Sequence, residues 1–134
     1  MRMTRQFLVL WGAALIPAMV TGLQTLQWRQ DSNRVDLATI LSWQESVTWV
    51  DARSKEDYEV AHWPDAVLLN LEEWDALVPG LLEVWDPEMR IVVYCDGGAC
   101  RASEEVAERI RADLGHERTF VLNGGWDALK DASQ

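Results

Sequence analysis

The sequence predicts an α/β fold in which helices cover both faces of a mostly parallel β-sheet. Short apolar runs rich in Val, Ile and Leu alternate with helical segments along the chain. Each run is continuously apolar instead of alternating with polar residues, which is typical of strands buried on both faces. A chain of 134 residues with 49% hydrophobic and 25% charged residues has the length and composition of one globular domain.

The predicted elements follow one another as strands separated by helices. Strands are predicted over 47–50, 66–69, 91–94 and 119–122. Helices are predicted over 35–43, 54–61, 71–85, 103–114 and 126–132. Ser54 and Ser103 are expected to cap their helices, Gly115 to end the fourth, and Pro79-Gly80 to interrupt or divide the third.

The net charge of −10 hides a division of the chain into two parts. Residues 1–30 carry three arginines and no acidic residue, whereas residues 31–134 hold 9 basic and 22 acidic residues and so carry −13. The acidic part would be repelled by phosphates, which argues against nucleic acid as a partner.

An uncharged apolar segment at 7–23 follows Arg2 and Arg5. Its length and its basic flank predict an N-terminal apolar helix that anchors the protein in a membrane, with the acidic domain on the extracytoplasmic, periplasmic side. A signal segment that is cleaved to release a secreted domain is one alternative, and a buried helix is another. The predicted organisation is an anchor or signal segment at 1–28, a linker at 29–34 and one domain at 35–134.

Cys95 ends the most strongly predicted strand and begins a glycine-rich loop that leads into a helix. Ligands of parallel sheets bind at the carboxyl ends of strands. Backbone N–H groups of residues 96–101 and the dipole of the following helix would favour the thiolate of Cys95 and would hold an anion attached to its sulfur. The alternative is that Cys95 is an inert buried residue at a strand end.

Three segments resemble the sequence blocks of rhodanese-like domains. These are DARSKEDYEVAHWPDA at 51–66, IVVYC at 91–95 and NGGW at 123–126, in the order and spacing of that family. The resemblance covers 35–132 and implies a parallel sheet between helices, with Cys95 as the nucleophile that forms a persulfide. It also implies a small sulfur donor, a thiol or cyanide acceptor, and no metal or organic cofactor. Asp51 and Arg53 would support the site.

The loop after Cys95 departs from the usual sulfurtransferase pattern. The residues predicted to bind the substrate are Asp96, Gly97, Gly98, Ala99, Cys100 and Arg101. Together with Cys95 they form Cys-x5-Arg, which is one residue longer than the common sulfurtransferase loop. Longer loops are associated with phosphatases and arsenate reductases, so an enzyme of either kind is the alternative. Tyr94 stands where such phosphatases usually have His, and Asp96 should weaken the binding of a dianion. Arg101 would offset Asp96, or it is an exposed residue of the helix's first turn.

Cys100 is the second departure from the pattern. In an oxidising compartment it could form a disulfide with Cys95, which would protect the thiol, resolve a persulfide, or make the domain a non-catalytic redox or binding module. It could equally be a small filler of the loop.

Overall fold

A computed structural model describes residues 33–97 and 100–134. Five parallel strands form one sheet in the order β1-β5-β4-β2-β3. The strands are β1 (Arg34–Val35), β2 (Val47–Asp51), β3 (Val67–Leu68), β4 (Arg90–Tyr94) and β5 (Thr119–Leu122). The predicted α/β class and parallel sheet are therefore confirmed.

Five helices connect the strands or follow them. They are α1 (Leu37–Ser42), α2 (Lys55–Val60), α3 (Trp74–Glu83), α4 (Ala102–Leu114) and α5 (Gly125–Ala132). Ser54 caps α2 as predicted, since its hydroxyl oxygen accepts a hydrogen bond from the backbone N–H of Asp57 at 3.2 Å. Gly115 ends α4 in the left-handed conformation, also as predicted.

The sheet separates two apolar cores because side chains of a strand point alternately to its two faces. In β4, Val93 points with the following Cys95 into the core under α3 and α4. Val92 and Tyr94 point into the opposite core, which contains residues of α1 and α5. All four side chains are at most 2% exposed. The alternation directs Cys95 towards α4 and its neighbour Tyr94 away from it.

Three predictions about the elements are wrong. The helix predicted from Val35 begins only at Leu37, because Val35 pairs with Leu122 in the short edge strand β1. Helix α3 continues through Pro79, since the burial of Trp74 and Leu81 on either side holds it against the core.

The third error concerns Ser103. Arg101 is the N-cap of α4, which begins at Ala102, and Ser103 therefore lies inside the first turn. The predicted capping role is wrong.

The predicted N-terminal helix and its membrane segment at 7–23 lie outside the described residues, as does most of the predicted linker. In the described ranges 33–97 and 100–134, the helices are too short or too polar to cross a membrane.

Candidate active site

Cys95 lies at the carboxyl end of the central strand β4 and is 2% exposed. Backbone hydrogen bonds from two segments, the residue after β2 and the turn before α5, hold this strand end. The carbonyl of the preceding Tyr94 accepts a hydrogen bond from Ala52 N–H at 2.8 Å, and the carbonyl of Cys95 accepts one from Trp126 N–H at 2.6 Å. The strand end and the turn at 123–126 therefore fix the position of the cysteine before the loop begins.

The turn before α5 reaches Cys95 only because it contains glycine. Gly125 has φ +53, and a Cβ added to it would lie 2.3 Å from the carbonyl oxygen of Cys95. Gly124 also has positive φ, at +79. A side chain at position 125 would push the turn away from the nucleophile. The close contact explains the glycine at 125, and the positive φ explains the one at 124.

Cys95 and Cys100 are joined by a disulfide, with their Cα atoms 6.3 Å apart. This separation lies within the ordinary range for disulfides. The Cys100 side chain is half-buried against the core that contains Cys95. The structure thus brings together the two cysteines of the chain at the predicted site.

The described part of the loop is stabilised by backbone hydrogen bonds. Cys100 N–H donates to the carbonyl of Gly97 at 3.1 Å, so this donor is engaged within the loop and not with the sulfur of Cys95. The carbonyl of Asp96 accepts a hydrogen bond from Asp127 N–H at 3.2 Å. Gly98 and Ala99, which were predicted to bind substrate, lie outside the described residues. The predicted ring of N–H donors over 96–101 therefore stays a prediction.

Ser103 is a site residue that the sequence analysis missed. Its hydroxyl oxygen lies 3.4 Å from Sγ of Cys95, and its side chain is buried. A disulfide sulfur carries no proton, so the hydroxyl is the donor in this contact. The signal was a hydroxyl residue two positions after Arg101, which puts it in the first turn of the helix that faces the cysteine.

Arg101 is exposed at the N-cap of α4. Its backbone carbonyl accepts hydrogen bonds from Glu104 and Glu105 N–H at 3.1 and 3.2 Å. Arg101 thus occupies an exposed position at the helix start, and its expected role in offsetting the charge of Asp96 stays a prediction.

Asp51 and Arg53 form a buried ion pair behind the site, on the face of the sheet opposite the Cys95 side chain. Arg53 donates from Nε and Nη2 to the two carboxylate oxygens of Asp51, and from Nη2 to the carbonyl of Ala61 at 2.6 Å. Burial by itself would lower the pKa of Arg53, but the hydrogen bonds and negative charge of Asp51 outweigh it and raise that pKa. The raised pKa keeps Arg53 charged within the pair.

Tyr94 and Trp126 connect the Asp51–Arg53 pair to strand β4 and to the turn before α5. The Tyr94 hydroxyl donates to Asp51 Oδ2 at 2.9 Å and accepts from Trp63 N–H at 3.0 Å. Burial raises the pKa of Tyr94, although the hydrogen bond from Trp63 opposes the effect. The Arg53 guanidinium lies 4.6 Å from the centroid of the Trp126 ring, as in a cation–π contact. Tyr94, which precedes Cys95, and Trp126, whose N–H binds the Cys95 carbonyl, are thereby fixed by one network.

His62 is held against Tyr58. Its ring stacks on Tyr58 at 3.9 Å, and its Nδ1 lies 2.9 Å from the carbonyl of the same residue. Within the described ranges, no three His, Cys, Asp or Glu side chains converge as ligands for a metal ion.

The sequence profile of the rhodanese-like domain family matches residues 34–132. The chain belongs to this family. No functionally curated protein matches it at a significant level.

Solved structures show the same fold. The BH2092 protein of Bacillus halodurans is 24% identical, with a TM-score of 0.63 over 84% of this chain and 82% of its own. A rhodanese-like domain protein of Staphylococcus aureus is 23% identical, with a TM-score of 0.55 over 72% and 89% of the two chains. The rhodanese-like domain of the Alr3790 protein of Anabaena is 23% identical, with a TM-score of 0.59 over 75% and 74%.

Proposed function

We propose that this rhodanese-like domain is a sulfurtransferase that carries a sulfane sulfur on Cys95. The observation that carries the proposal is the position of Cys95, which lies at the end of β4 with the Ser103 hydroxyl 3.4 Å from its sulfur. When the disulfide is reduced, the hydroxyl and the first turn of α4 would stabilise a thiolate there. A thiolate is the nucleophile that sulfur transfer requires.

The reaction consists of two substitutions at sulfur. In the first, the Cys95 thiolate attacks the outer sulfur of a donor such as thiosulfate, the S–S bond of the donor breaks, and sulfite leaves with the electron pair. In the second, a thiolate or cyanide attacks the outer sulfur of the Cys95 persulfide, and the Cys95 thiolate is regenerated. Neither step needs a metal or an organic cofactor, because each is a direct displacement at sulfur in which the Cys95 thiolate is the nucleophile or the leaving group.

The charges around the loop favour sulfur chemistry over phosphate-ester hydrolysis. Asp96 is exposed next to the nucleophile, and Oδ2 of Asp127 would lie 2.9 Å from a Cβ added at Gly97, so a second carboxylate lies against the loop. Lys130 neutralises part of this charge through its ion pair with Asp127 at 2.9 Å. Two carboxylates oppose the binding of a phosphate dianion and would likewise favour a monoanionic sulfur donor over thiosulfate, whereas the persulfide itself carries at most one charge.

The contacts of Tyr94 also favour sulfur chemistry over phosphate-ester hydrolysis. Its hydroxyl is engaged with Asp51 and Trp63 on the opposite face of the sheet from Cys95. It therefore cannot act as the acid that protonates the leaving group of a phosphate ester at the Cys95 sulfur.

The proposal can be tested on the reduced protein with two sulfur donors. Thiosulfate is a dianion, and benzenethiosulfonate is a monoanion that releases benzenesulfinate. We expect the wild type to form thiocyanate from cyanide with both donors and the Cys95→Ser variant to form none. In the Cys100→Ser variant, the intact mass should increase by one sulfur atom. Sulfur loading that survives Cys95→Ser would overturn the proposal, as would Cys95-dependent hydrolysis of an aryl phosphate without sulfur transfer.

We further propose that the domain functions outside the cytoplasm, tethered through residues 7–23. The basic flank of this segment and an active-site disulfide, which persists in oxidising compartments, support this location. Fusion of alkaline phosphatase after Gln134 should give an active reporter in a bacterial host, and fusion of a fluorescent protein that folds only in the cytoplasm should not. The opposite pattern would overturn the location. The N-terminal residue of the purified protein then distinguishes an anchor from a cleaved signal segment.

A further inference from the structure

We infer that Cys100 is a resolving thiol that releases the sulfur on Cys95 as sulfide and leaves the Cys95–Cys100 disulfide. The inference rests on the proposed sulfurtransferase function and adds a second outcome for the same persulfide. It follows from three features of the loop, which are the closeness of the two sulfurs, their unequal exposure, and the contact between Ser103 and Cys95.

The backbone positions of the two cysteines accommodate a bond between them. Their Cα atoms are 6.3 Å apart and the disulfide is formed. The N–H of Cys100 donates to the carbonyl of Gly97, and this bond closes the loop between the two residues. Cys100 is therefore held within reach of the inner sulfur of a persulfide on Cys95, which is the Sγ atom itself.

Which sulfur of the persulfide is attacked decides the product. Attack on the outer sulfur transfers it to an external acceptor, whereas attack on the inner sulfur expels the outer one as hydrosulfide. Cys95 is 2% exposed in the disulfide form, so an external acceptor reaches the protruding outer sulfur of a persulfide more readily than the Sγ beneath it. Cys100 approaches the same atom from within the loop. The geometry thus assigns transfer to external nucleophiles and release to Cys100.

The step balances without an added oxidant. The Cys100 thiol gives its proton to the leaving sulfur, the bond between Sγ of Cys95 and the outer sulfur breaks, and the Cys95–Cys100 bond forms. The sulfane sulfur is reduced to hydrosulfide, and the two cysteine sulfurs are oxidised to the disulfide. Each turnover therefore requires an external reductant, and a dithiol is the class of reductant that regenerates a disulfide in two successive exchanges.

The difference in exposure between Cys100 and Cys95 determines which sulfur of the disulfide the reductant attacks first. Cys100 is the more exposed partner, so a reductant thiol attacks its sulfur and the Cys95 thiolate leaves. The leaving thiolate is the one that Ser103 and α4 stabilise, and a stabilised thiolate leaves faster. The second thiol of the reductant then frees Cys100. The nucleophile is restored first, while the mixed disulfide remains on the outer cysteine.

A single-turnover experiment tests the inference on the full-length protein. Wild type, Cys100→Ser and Cys100→Ala are reduced, freed of reductant without oxygen, and mixed with one equivalent of benzenethiosulfonate. For the wild type we expect one equivalent of benzenesulfinate, one of sulfide, and a final mass lower than that of the reduced protein by two hydrogen atoms. For both Cys100 variants we expect the same sulfinate, loss of the sulfide signal, and a gain of one sulfur atom in mass.

The outcomes separate the two proposals. If no protein releases sulfinate, the sulfurtransferase function fails. If all release sulfinate but the wild type keeps the extra sulfur without forming sulfide, the function stands and the resolving role of Cys100 is overturned. Sulfide release that persists in both Cys100 variants overturns it as well. Reduced wild type incubated without donor must keep both thiols, which controls for oxidation by residual oxygen.

Discussion

The hydroxyl of Tyr94 donates a hydrogen bond to Asp51 Oδ2 at 2.9 Å, and the two residues lie opposite each other where β4 and β2 end. Asp51 also holds Arg53, so the residue directly before the nucleophile is tied to a buried charge on the neighbouring strand. The strand that carries Cys95 cannot shift along the sheet without breaking this contact. The ion pair therefore acts on the site by fixing position and not by touching the sulfur.

Replacement of Tyr94 by phenylalanine should destabilise the domain by about 1–3 kcal/mol, because a buried carboxylate loses a donor and Trp63 N–H loses its acceptor. Urea unfolding followed by tryptophan fluorescence measures the loss. Tyr58→Phe is the matched control, since its hydroxyl donates to a neutral carbonyl, that of Ala66, in a part-buried position. A loss in Tyr94→Phe no larger than in Tyr58→Phe would contradict the structural role of the Asp51 contact.

The close approach of Gly125 to Cys95 predicts a large difference between two glycine substitutions. Gly115 and Gly125 both have positive φ, at +66 and +53, so alanine at either position costs about 1–2 kcal/mol of backbone strain. At Gly115 no described atom lies within 4 Å of the added Cβ, whereas at Gly125 it would meet the carbonyl of Cys95 at 2.3 Å. We expect Gly125→Ala to cost at least about 2 kcal/mol more than Gly115→Ala, from the added overlap. Equal costs in urea unfolding would show that the turn can move freely away from Cys95.

Ser103 should increase the reactivity of the reduced nucleophile. A hydroxyl that donates to a thiolate is worth about 1.5–3 kcal/mol, so Ser103→Ala should slow alkylation of Cys95 by about tenfold near neutral pH. Iodoacetamide labelling in a Cys100→Ser background, followed by mass spectrometry, reports Cys95 alone. Ser103→Thr keeps the hydroxyl and should restore the rate, whereas a purely structural role would leave the labelling rate unchanged in Ser103→Ala.

Asp96 should hinder anionic donors. Its carboxylate adjoins Cys95, and removing one charge at short range in a solvent-exposed position is worth about 1 kcal/mol for each charge of the donor. Asp96→Asn should therefore speed persulfide formation from thiosulfate more than from benzenethiosulfonate. Stopped-flow measurement of sulfite and sulfinate release gives both rates, with Asp75→Asn on α3 as a control of equal charge change. An equal effect on the two donors would mean that charge is not what limits thiosulfate.

Tyrosine ionisation provides a prediction of pH dependence. Burial raises the pKa of both Tyr58 and Tyr94, the two tyrosines of the chain, above the ordinary value near 10. The native state thus favours the neutral form, so its stability advantage is complete below about pH 10 and declines as the pH rises through the native values. Absorbance at 295 nm should increase at higher pH in native protein than in urea-unfolded protein. The Tyr58→Phe variant isolates Tyr94, and superimposable curves would contradict the buried hydrogen bond.

Most of the fold followed from local patterns, and the errors arose where distant contacts prevail. The apolar runs that became β2, β4 and β5 are recognisable because both faces of each strand are buried. Strand β1 is not recognisable locally, because its two residues are extended only through pairing with Val121 and Leu122. Pro79 likewise would end an isolated helix, but the buried Trp74 and Leu81 keep α3 intact.

The candidate site was predictable as a position and not as a network. A cysteine after an apolar run and before glycines identifies a strand end, and the NGGW segment identifies a close turn. Strand alternation places Tyr94 on the face opposite Cys95, but nothing in the local pattern pairs Tyr94 with Asp51 or turns Ser103 towards Cys95. Those contacts depend on the register of β2 against β4 and on the start of α4 at Ala102, one residue after Arg101.

The backbone bond between Trp126 and Cys95 has a consequence for protein synthesis. A ribosome adds roughly 5–20 residues per second, so both cysteines are made well before the turn that holds the first of them. Edge strand β1 likewise cannot pair until β5 has been synthesised, because Arg34 pairs with Val121. During this interval the two thiols of the nascent chain lack the contact with the turn before α5 that holds Cys95 in the folded domain. Sulfur chemistry at Cys95 is therefore a property that the polypeptide acquires only after β5 has joined the sheet and α5 has packed against it.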